Sequence, residues 1–174
     1  MKNFIIVTGG AGFVGTNLIL LLLKKTNYKI ISIDNYSTGN NKNHIKSKRL
    51  KYLKGDTSNI RNILKDKKNR IYSVFHFGEF SRIYQSFIKF NECFNSNSLG
   101  SREVFKFCLD NKIKLIYSAT SAVFGKKGND KNLSPYAFTK SNNLELLENL
   151  KKWFNFKYEI IYFGNVYGDK QIET

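Results

Sequence analysis

Several residue types that would define a specialised class of protein are scarce in this chain. It has two cysteines, one proline and one tryptophan among 174 residues, and its longest apolar stretch runs only from Leu18 to Leu23. Cys93 and Cys108 have neither the spacing of metal ligands nor the density of a disulfide scaffold, so no metal site is predicted. The apolar stretch is far too short to cross a bilayer, which predicts no membrane partner.

The amino terminus lacks the long apolar region and the cleavage site of a signal peptide, because residues 1–7 lead directly into glycines. Hydrophobic residues make up 41% and aromatic residues 15% of the chain, which excludes wholesale disorder. We therefore expect one cytoplasmic domain over residues 1–174, long enough to bury a core.

Acidic residues are also few, with 13 Asp and Glu against 29 Lys and Arg, and the formal charge is +16. Such a charge ordinarily favours nucleic-acid binding. Here it is spread along the chain without a nucleic-acid-binding motif, and the densest basic stretch, residues 42–54, is interpreted as a solvated loop and a surface strand. We predict no nucleic-acid partner, although a positive field favours the approach of a dianionic substrate.

Short β-branched runs alternate with longer helical stretches, which predicts a Rossmann-type, doubly wound parallel α/β sheet. The predicted strands are Phe4–Val7, Lys29–Ile33, Leu50–Leu53, Tyr72–Phe77, Ile113–Ser118 and Tyr158–Phe163. The predicted helices are Gly12–Lys25, Ile60–Lys68, Phe94–Asn111 and Pro135–Phe154.

A glycine-rich turn joins the first predicted strand to the first helix. Gly10, Gly12 and Gly15 satisfy G-x-G-x-x-G, and Gly9 extends the pattern. Such a turn needs positive φ, leaves room for a pyrophosphate against the backbone, and presents helix N–H groups to that anion. Asp34 follows 19 residues after Gly15, where a carboxylate accepts hydrogen bonds from the adenosine ribose and repels a 2′-phosphate. The pattern predicts a dinucleotide site that prefers NAD to NADP.

A second pattern, Tyr136-x-x-x-Lys140, follows the lone proline. Residues four apart share a helix face, so both side chains can point into one site. A free phenol is a poor base at neutral pH, but a nearby ammonium and the first turn of a helix both stabilise a phenolate. The fifth predicted strand leads into Ser118 and Thr120, which places hydroxyl groups at the carboxyl edge of the sheet, where ligands bind.

Together these segments resemble the extended short-chain dehydrogenase/reductase superfamily, and within it the NAD-dependent epimerase/dehydratase family typified by UDP-glucose 4-epimerase. The resemblance covers essentially the whole chain. It rests on Thr8–Gly15, Asp34–Gly39, Gly55-Asp56, His76–Gly78, Asn97, Ser118–Gly125, Tyr136–Lys140 and Asn165–Gly168.

The resemblance implies roles for individual residues. Tyr136 matches the catalytic base, Lys140 the residue that assists it, and Thr120 the residue that hydrogen-bonds the reacting sugar hydroxyl. Ser81 and Asn165, with Thr120 and Tyr136, match substrate contacts. The residues that match the cofactor site are Gly9, Gly12, Phe13, Val14, Gly15, Asp34, Asn35, Asp56, Thr57, Phe77, Gly78, Asn97, Ser118, Tyr136, Lys140 and Phe163.

The implied reaction is NAD-dependent 4-epimerisation of a nucleotide sugar, most simply a UDP-sugar, in polysaccharide or galactose-type metabolism. A related dehydratase or reductase is the alternative, although Ser121 and Ala122 stand where dehydratases have an Asp-Glu pair that expels water. Phe124, in place of a usual Tyr, and the Phe77-Gly78-Glu79 segment also depart from the family pattern.

Family members continue past the Asn165–Gly168 segment into a smaller domain that holds the nucleotide. We therefore expect the chain to be an amino-terminal or split fragment with the carboxyl-terminal substrate domain absent, and an inert dinucleotide-binding module is a further alternative. The family also implies a homodimer through a four-helix bundle near Val104 and the Tyr136 helix. Leu144, Leu147 and Leu150 fit such a face or packing within the chain equally well.

Overall fold

The structure of the protein is a computed structural model that describes residues 2–121, 124 and 132–171. Within these residues a parallel sheet has the strand order β3-β2-β1-β4-β5-β6, which confirms the predicted doubly wound Rossmann-type fold. Ala122, Val123 and Gly125 of the predicted motifs lie outside the described residues. The strands are β1 (Phe4–Thr8), β2 (Lys29–Asp34), β3 (Leu50–Lys54), β4 (Ile71–His76), β5 (Lys114–Thr120) and β6 (Tyr158–Phe163).

Strand β1 is apolar from Phe4 to Val7 because both faces of the sheet are covered. Ile5 and Val7 pack with Ile19 of the first helix on one face, whereas Ile6 packs into the larger core on the other face. In the sheet Ile6 lies between Ile31 of β2 and Val74 of β4. β1 and β4 adjoin where the strand order reverses, so the crevice between their carboxyl ends is the expected binding position for this fold.

The helices are α1 (Phe13–Lys25), α2 (Ile60–Ile63), α3 (Ile83–Ile88), α4 (Phe90–Phe94), α5 (Ser101–Asp110) and α6 (Pro135–Phe154). Two helix predictions were wrong in extent. The Ile60–Lys68 segment is helical for one turn only, and the predicted Phe94–Asn111 helix begins as a π-helix over Asn95–Gly100 before α5. Helix α3 was not predicted. Helices this short are marginal alone and form only because they pack on α6 and its neighbours, which local sequence patterns do not report.

Helix α6 has the predicted bounds, Pro135–Phe154, because strong local signals mark both ends. The Ser134 hydroxyl accepts a hydrogen bond from the Ala137 N–H at 3.0 Å, and Pro135 occupies the first helical position. Asn155 closes the other end with a left-handed φ of 52°. The amino-terminal cap places Tyr136 in the first turn and Lys140 one turn later.

The basic stretch contains one structural cation. The Arg49 guanidinium donates to the carbonyls of Leu23, Thr26 and Tyr28, at the carboxyl end of α1 and the start of β2. A cation at a helix carboxyl terminus satisfies carbonyls that lack helical partners and complements the helix dipole. No helix in the described part of the chain is long and apolar enough to cross a membrane.

Candidate active site

The turn between β1 and α1 is built on glycine for steric reasons. Gly9 has a φ of +72°, and a Cβ there would lie 2.7 Å from the Phe77 carbonyl atoms. A Cβ on Gly15 would lie 2.2 Å from the Gly9 carbonyl oxygen, whereas one on Gly12 would meet only that oxygen, at 3.3 Å. Gly12 is also the N-cap of α1 and, as a glycine, brings no side chain to that position. The turn therefore leaves the backbone at the start of α1 open to a ligand.

Asp34 ties this turn to the loop after β2. One carboxylate oxygen accepts the Ala11 N–H at 2.9 Å, and the other accepts the Tyr36 N–H at 2.8 Å. The side chain belongs to a buried residue at the carboxyl end of β2. Asp34 thus lies beside the glycine turn, as the dinucleotide pattern requires, and each oxygen retains a lone pair for a ribose hydroxyl.

Asn35 and Asp56 meet at the ends of β2 and β3. The Asn35 amide donates to an Asp56 carboxylate oxygen at 3.1 Å, and the Ser58 N–H donates to the other oxygen at 2.9 Å. Burial by itself raises the pKa of Asp56, but the hydrogen bonds from Ser58 and Asn35 outweigh it, so the pKa lies below its usual value. Thr57, the next residue, is buried against Gly100.

A short segment after β4, residues 77–79, connects the glycine turn to the helix that carries the Tyr-Lys pair. The backbone N–H groups of Phe77 and Gly78 donate to the Thr8 hydroxyl at 3.1 and 3.0 Å. A Cβ on Gly78 would lie 2.9 Å from the Gly9 nitrogen, so the two glycines are in close backbone contact. The next residue, Glu79, forms an ion pair with Lys140.

Lys140 lies at the carboxyl edge of β5. Its ammonium donates to the Ser118 carbonyl oxygen at 2.7 Å and lies 5.0 Å from the centre of the Tyr117 ring. Tyr136 is buried one turn earlier on α6, and the Ser86 hydroxyl of α3 accepts its backbone N–H at 3.3 Å. Lys140 thus contacts Tyr117 of β5, and Tyr136 lies one turn before Lys140 on the same helix.

Sequence reasoning noted Glu79 only as a departure from the family and missed its role. One carboxylate oxygen binds Lys140, and the other accepts hydrogen bonds from Ser101 Oγ (2.6 Å), Asn143 Nδ2 (3.0 Å) and Tyr117 OH (3.1 Å). Burial raises the pKa of Tyr117 well above its usual value, so its hydroxyl is a donor here. The sequence offered one signal, a glutamate between Gly78 and Phe80. That signal could not reveal the role of Glu79, because its partners come from three elements that are distant along the chain.

Asn97 was predicted as a residue behind the cofactor, and the structure gives it a positioning contact. Its side chain accepts the Phe80 N–H at 2.7 Å and donates to the Phe80 carbonyl at 3.0 Å. It lies in the π-helix and is fully buried. Asn97 therefore fixes the backbone next to Glu79.

The remaining predicted residues lie around the same edge of the sheet. Thr120 ends β5 and is buried. The Ser118 hydroxyl donates to the His76 carbonyl at 3.0 Å. Phe163 packs edge-on against Phe77, with ring centres 5.7 Å apart. Ser81 and Asn165 are exposed. Phe13 and Val14 are in the first turn of α1. The roles of these residues as ligand contacts stay predictions.

The residues present fit a dinucleotide. Gly12 offers an approach that a larger side chain would fill, the first turn of a 13-residue helix presents backbone N–H groups, and Asp34 offers carboxylate oxygens nearby. The contacts from Gly9 to Gly78 and from Glu79 to Lys140 place the turn and the lysine on either side of one three-residue segment. The fold and this site together define the Rossmann-type domain of a short-chain dehydrogenase/reductase.

Comparison with known proteins specifies the class further. The family model described as "NAD dependent epimerase/dehydratase family" matches residues 5–174, so the chain belongs to that family. The description names NAD, which confirms the predicted cofactor at the level of the family.

Relatives within the family carry different activities. The chain is 31% identical to a dTDP-D-glucose 4,6-dehydratase of Dictyostelium discoideum, covering 96% of this chain and 44% of the relative. It is 29% identical to an ADP-L-glycero-D-manno-heptose-6-epimerase of Brachyspira hyodysenteriae, covering 96% and 56%. A solved UDP-N-acetylglucosamine 4-epimerase of Methanobrevibacter ruminantium is 27% identical with a TM-score of 0.86, covering 99% of this chain and 58% of that one. The chain spans about half the length of these curated relatives.

Proposed function

We propose that this chain supplies the NAD-binding and catalytic half of a nucleotide-sugar 4-epimerase, with Tyr136 as the base. The observation that carries the proposal is the burial of Tyr136 and Lys140 on one face of α6, joined through Glu79 to the segment that packs on the glycine turn. The Lys140 ammonium lies at the Ser118 carbonyl near the carboxyl end of β5, the glycine turn follows the carboxyl end of β1, and Tyr136 lies one helical turn from Lys140.

Bound NAD would accept the hydride that leaves C4 of the sugar and return it to the opposite face. The Tyr136 phenolate removes the proton of the C4 hydroxyl, and the same phenol gives a proton back to that oxygen when the hydride returns. Lys140 stabilises the phenolate, and Thr120 orients the hydroxyl. Gly12 and the first turn of α1 hold the pyrophosphate, and Asp34 holds the adenosine ribose.

Two features support a 4-epimerase over a dehydratase. Ser121 and Ala122 follow Thr120 and cannot replace an acid and a base that would expel water from the sugar. The solved 4-epimerase matches nearly the whole chain at 27% identity. The Dictyostelium dehydratase, at 31% identity, keeps dehydration as the second candidate.

The test uses the purified chain after loading with NAD. UDP-glucose or UDP-N-acetylglucosamine is added, the absorbance of reduced nicotinamide is followed, and the sugar products are identified by NMR. We expect a weak reduced-nicotinamide band and a small yield of the C4 epimer, because the chain spans about half the length of its relatives, and about 10²- to 10⁴-fold less of both in Tyr136→Phe. Tyr72→Phe, at the opposite end of β4, is the matched control and should behave as the parent.

Each other result selects an alternative. A band as strong in Tyr136→Phe as in the parent would exclude the tyrosine as the base. A 4-keto-6-deoxy sugar would identify a dehydratase. Tight NAD binding without any band would identify the inert dinucleotide-binding module.

We further propose a cytoplasmic homodimer in polysaccharide metabolism, in which α6 and the helical segment Phe90–Asp110, which contains Val104, form a four-helix bundle with the second copy. Leu147 and Leu150 are buried within the chain and do not support this, but Phe87 and Phe90 are exposed beside Phe138 of α6. Analytical ultracentrifugation of the parent and of Phe90→Glu tests the dimer. We expect the parent to sediment as a dimer and the variant as a monomer, and a monomeric parent would overturn it.

A further inference from the structure

The Glu79 carboxylate is a buried anion that the proposed reaction does not use directly. Its side chain is 2% exposed, and its partner Lys140 is 5% exposed. Burial of either charge alone is unfavourable, so each requires the other. The carboxylate lies in the interior beneath the site, between α6, α5 and β5.

Every hydrogen-bonding position of Glu79 that the structure describes faces the protein. Ser101, Tyr117 and Asn143 donate to one oxygen, and Lys140 donates to the other. Glu79 is therefore not a ligand contact. Lys140, in contrast, donates to Glu79 and to the Ser118 carbonyl, and its ammonium also lies 3.5 Å from the Ser118 hydroxyl oxygen.

The hydrogen bonds also set the protonation of the surrounding groups. The Thr8 hydroxyl accepts two backbone N–H groups, so its proton goes to His76 Nδ1 at 2.7 Å. The other ring nitrogen then donates to Ser101 Oγ at 2.9 Å, and Ser101 donates to Glu79. A directed chain of donors thus runs from the glycine turn to the carboxylate, which is the acceptor at its end.

Resting on the proposed function, we propose that Glu79 is a positioning residue for the reaction: it holds the Lys140 ammonium in place and partly offsets the charge that this ammonium presents to Tyr136. A bare lysine would stabilise the phenolate fully, whereas a lysine paired with a buried carboxylate stabilises it less. Glu79 thereby sets the pH at which Tyr136 becomes a base.

The titratable groups facing the pair come from four elements. They are His76 of β4, Cys93 of α4 and Tyr117 of β5, together with Tyr136, which lies one turn before Lys140 on α6. Burial lowers the pKa of His76 to about 4 and raises the pKa values of Cys93 and Tyr117, so His76 stays neutral at neutral pH and the other two stay protonated. A change of the charge at position 79 is therefore read out at Tyr136.

The test is an ultraviolet titration of tyrosinate in the NAD-loaded chain. Subtracting the titration of Tyr136→Phe from that of the parent isolates Tyr136, and the same pair is measured with Glu79→Gln. We expect Tyr136 to ionise about one pH unit lower in Glu79→Gln, because the ammonium is no longer offset. Glu79→Asp, which keeps the charge, should restore the parent titration, and Glu92→Gln, an exposed residue of α4, should leave it unchanged.

The outcomes separate the two proposals. A Tyr136 titration in Glu79→Gln equal to that in the parent overturns the role of Glu79. A parent in which Tyr136 ionises with the bulk of the tyrosines overturns the proposed base instead. Should Glu79→Gln not fold, the double variant Glu79→Gln/Lys140→Met should fold, because it leaves no unpaired buried charge. Failure of both to fold would show that Glu79 serves packing alone and would overturn the proposal.

Discussion

The Thr8 hydroxyl and the His76 ring join the carboxyl ends of β1 and β4, with Oγ1 and Nδ1 2.7 Å apart. The two residues are also paired in the sheet register, and both are fully buried. This contact lies at the point where the strand order reverses, directly below the glycine turn. It links the stability of the fold to the protonation of one imidazole.

His76 makes the fold sensitive to acid. Burial holds its pKa at about 4 in the folded chain, against a usual value of 6.5, so the unfolded chain binds the proton first as pH falls. The contribution to the free energy of unfolding is constant above pH 6.5 and is lost progressively between pH 6.5 and 4, by about 3 kcal/mol in total. Urea unfolding at several pH values measures this slope. His76→Gln should lack this component of the slope, and an unchanged slope would contradict the prediction.

Gly12 and Gly15 have different functions in the same turn. Gly15→Ala places a Cβ 2.2 Å from the Gly9 carbonyl oxygen and should lower the free energy of unfolding by roughly 1–3 kcal/mol while abolishing NAD binding. Gly12→Ala is a milder change, because its Cβ meets only the Gly9 carbonyl oxygen, at 3.3 Å, and a small shift relieves that contact. The Gly12→Ala variant should fold yet bind NAD at least tenfold more weakly, which is a loss of about 1.4 kcal/mol of binding free energy. Thermal unfolding and calorimetric titration with NAD measure both quantities, and normal NAD binding by Gly12→Ala would argue against a pyrophosphate at that position.

Asp34 is needed as a carboxylate. Both oxygens accept backbone N–H groups, so the amide nitrogen of Asp34→Asn must face the N–H of Ala11 or Tyr36. An unsatisfied donor of this kind costs roughly 1–3 kcal/mol, and the displaced loop should also weaken NAD binding. Asp169→Asn, an exposed carboxylate, is the matched control for loss of charge. Equal unfolding curves for the two variants would show that the Asp34 contacts contribute nothing.

Arg49 should stabilise the fold, unlike the lysines around it. Arg49→Met removes the donor that serves three carbonyls at the carboxyl end of α1 and should cost roughly 1–2 kcal/mol. Lys51→Met, the exposed neighbour two residues on, should cost little. Denaturant unfolding measures the free energy of unfolding of both variants. Equal decreases would show that Arg49, like the lysines around it, is a solvated surface residue, as the sequence predicts.

Local signals in the sequence determined much of the fold. The strands of the sheet and helices α1 and α6 lie where the sequence predicts them, because apolar runs, the glycine turn and capped helix ends act within a few neighbouring residues. The glycine turn and Asp34 were identified for the same reason, since their spacing is set by one β-α-β unit. The π-helix at Asn95 and the short helix α3 were not predicted, because they depend on packing against α6.

By itself, the sequence determined that this protein has a Rossmann-type sheet with a dinucleotide turn and a Tyr-Lys pair, since each of these is encoded over a short span of chain. Only the tertiary structure decided the surroundings of Lys140. Glu79, Ser101, Tyr117 and Asn143 lie up to 64 residues apart along the chain, yet they share hydrogen bonds because α5 and α6 pack on the carboxyl edge of the sheet, where β4 and β5 end. Because that edge is buried, the Glu79 charge acts on its neighbours with little screening, whereas a carboxylate in solvent would be screened from them.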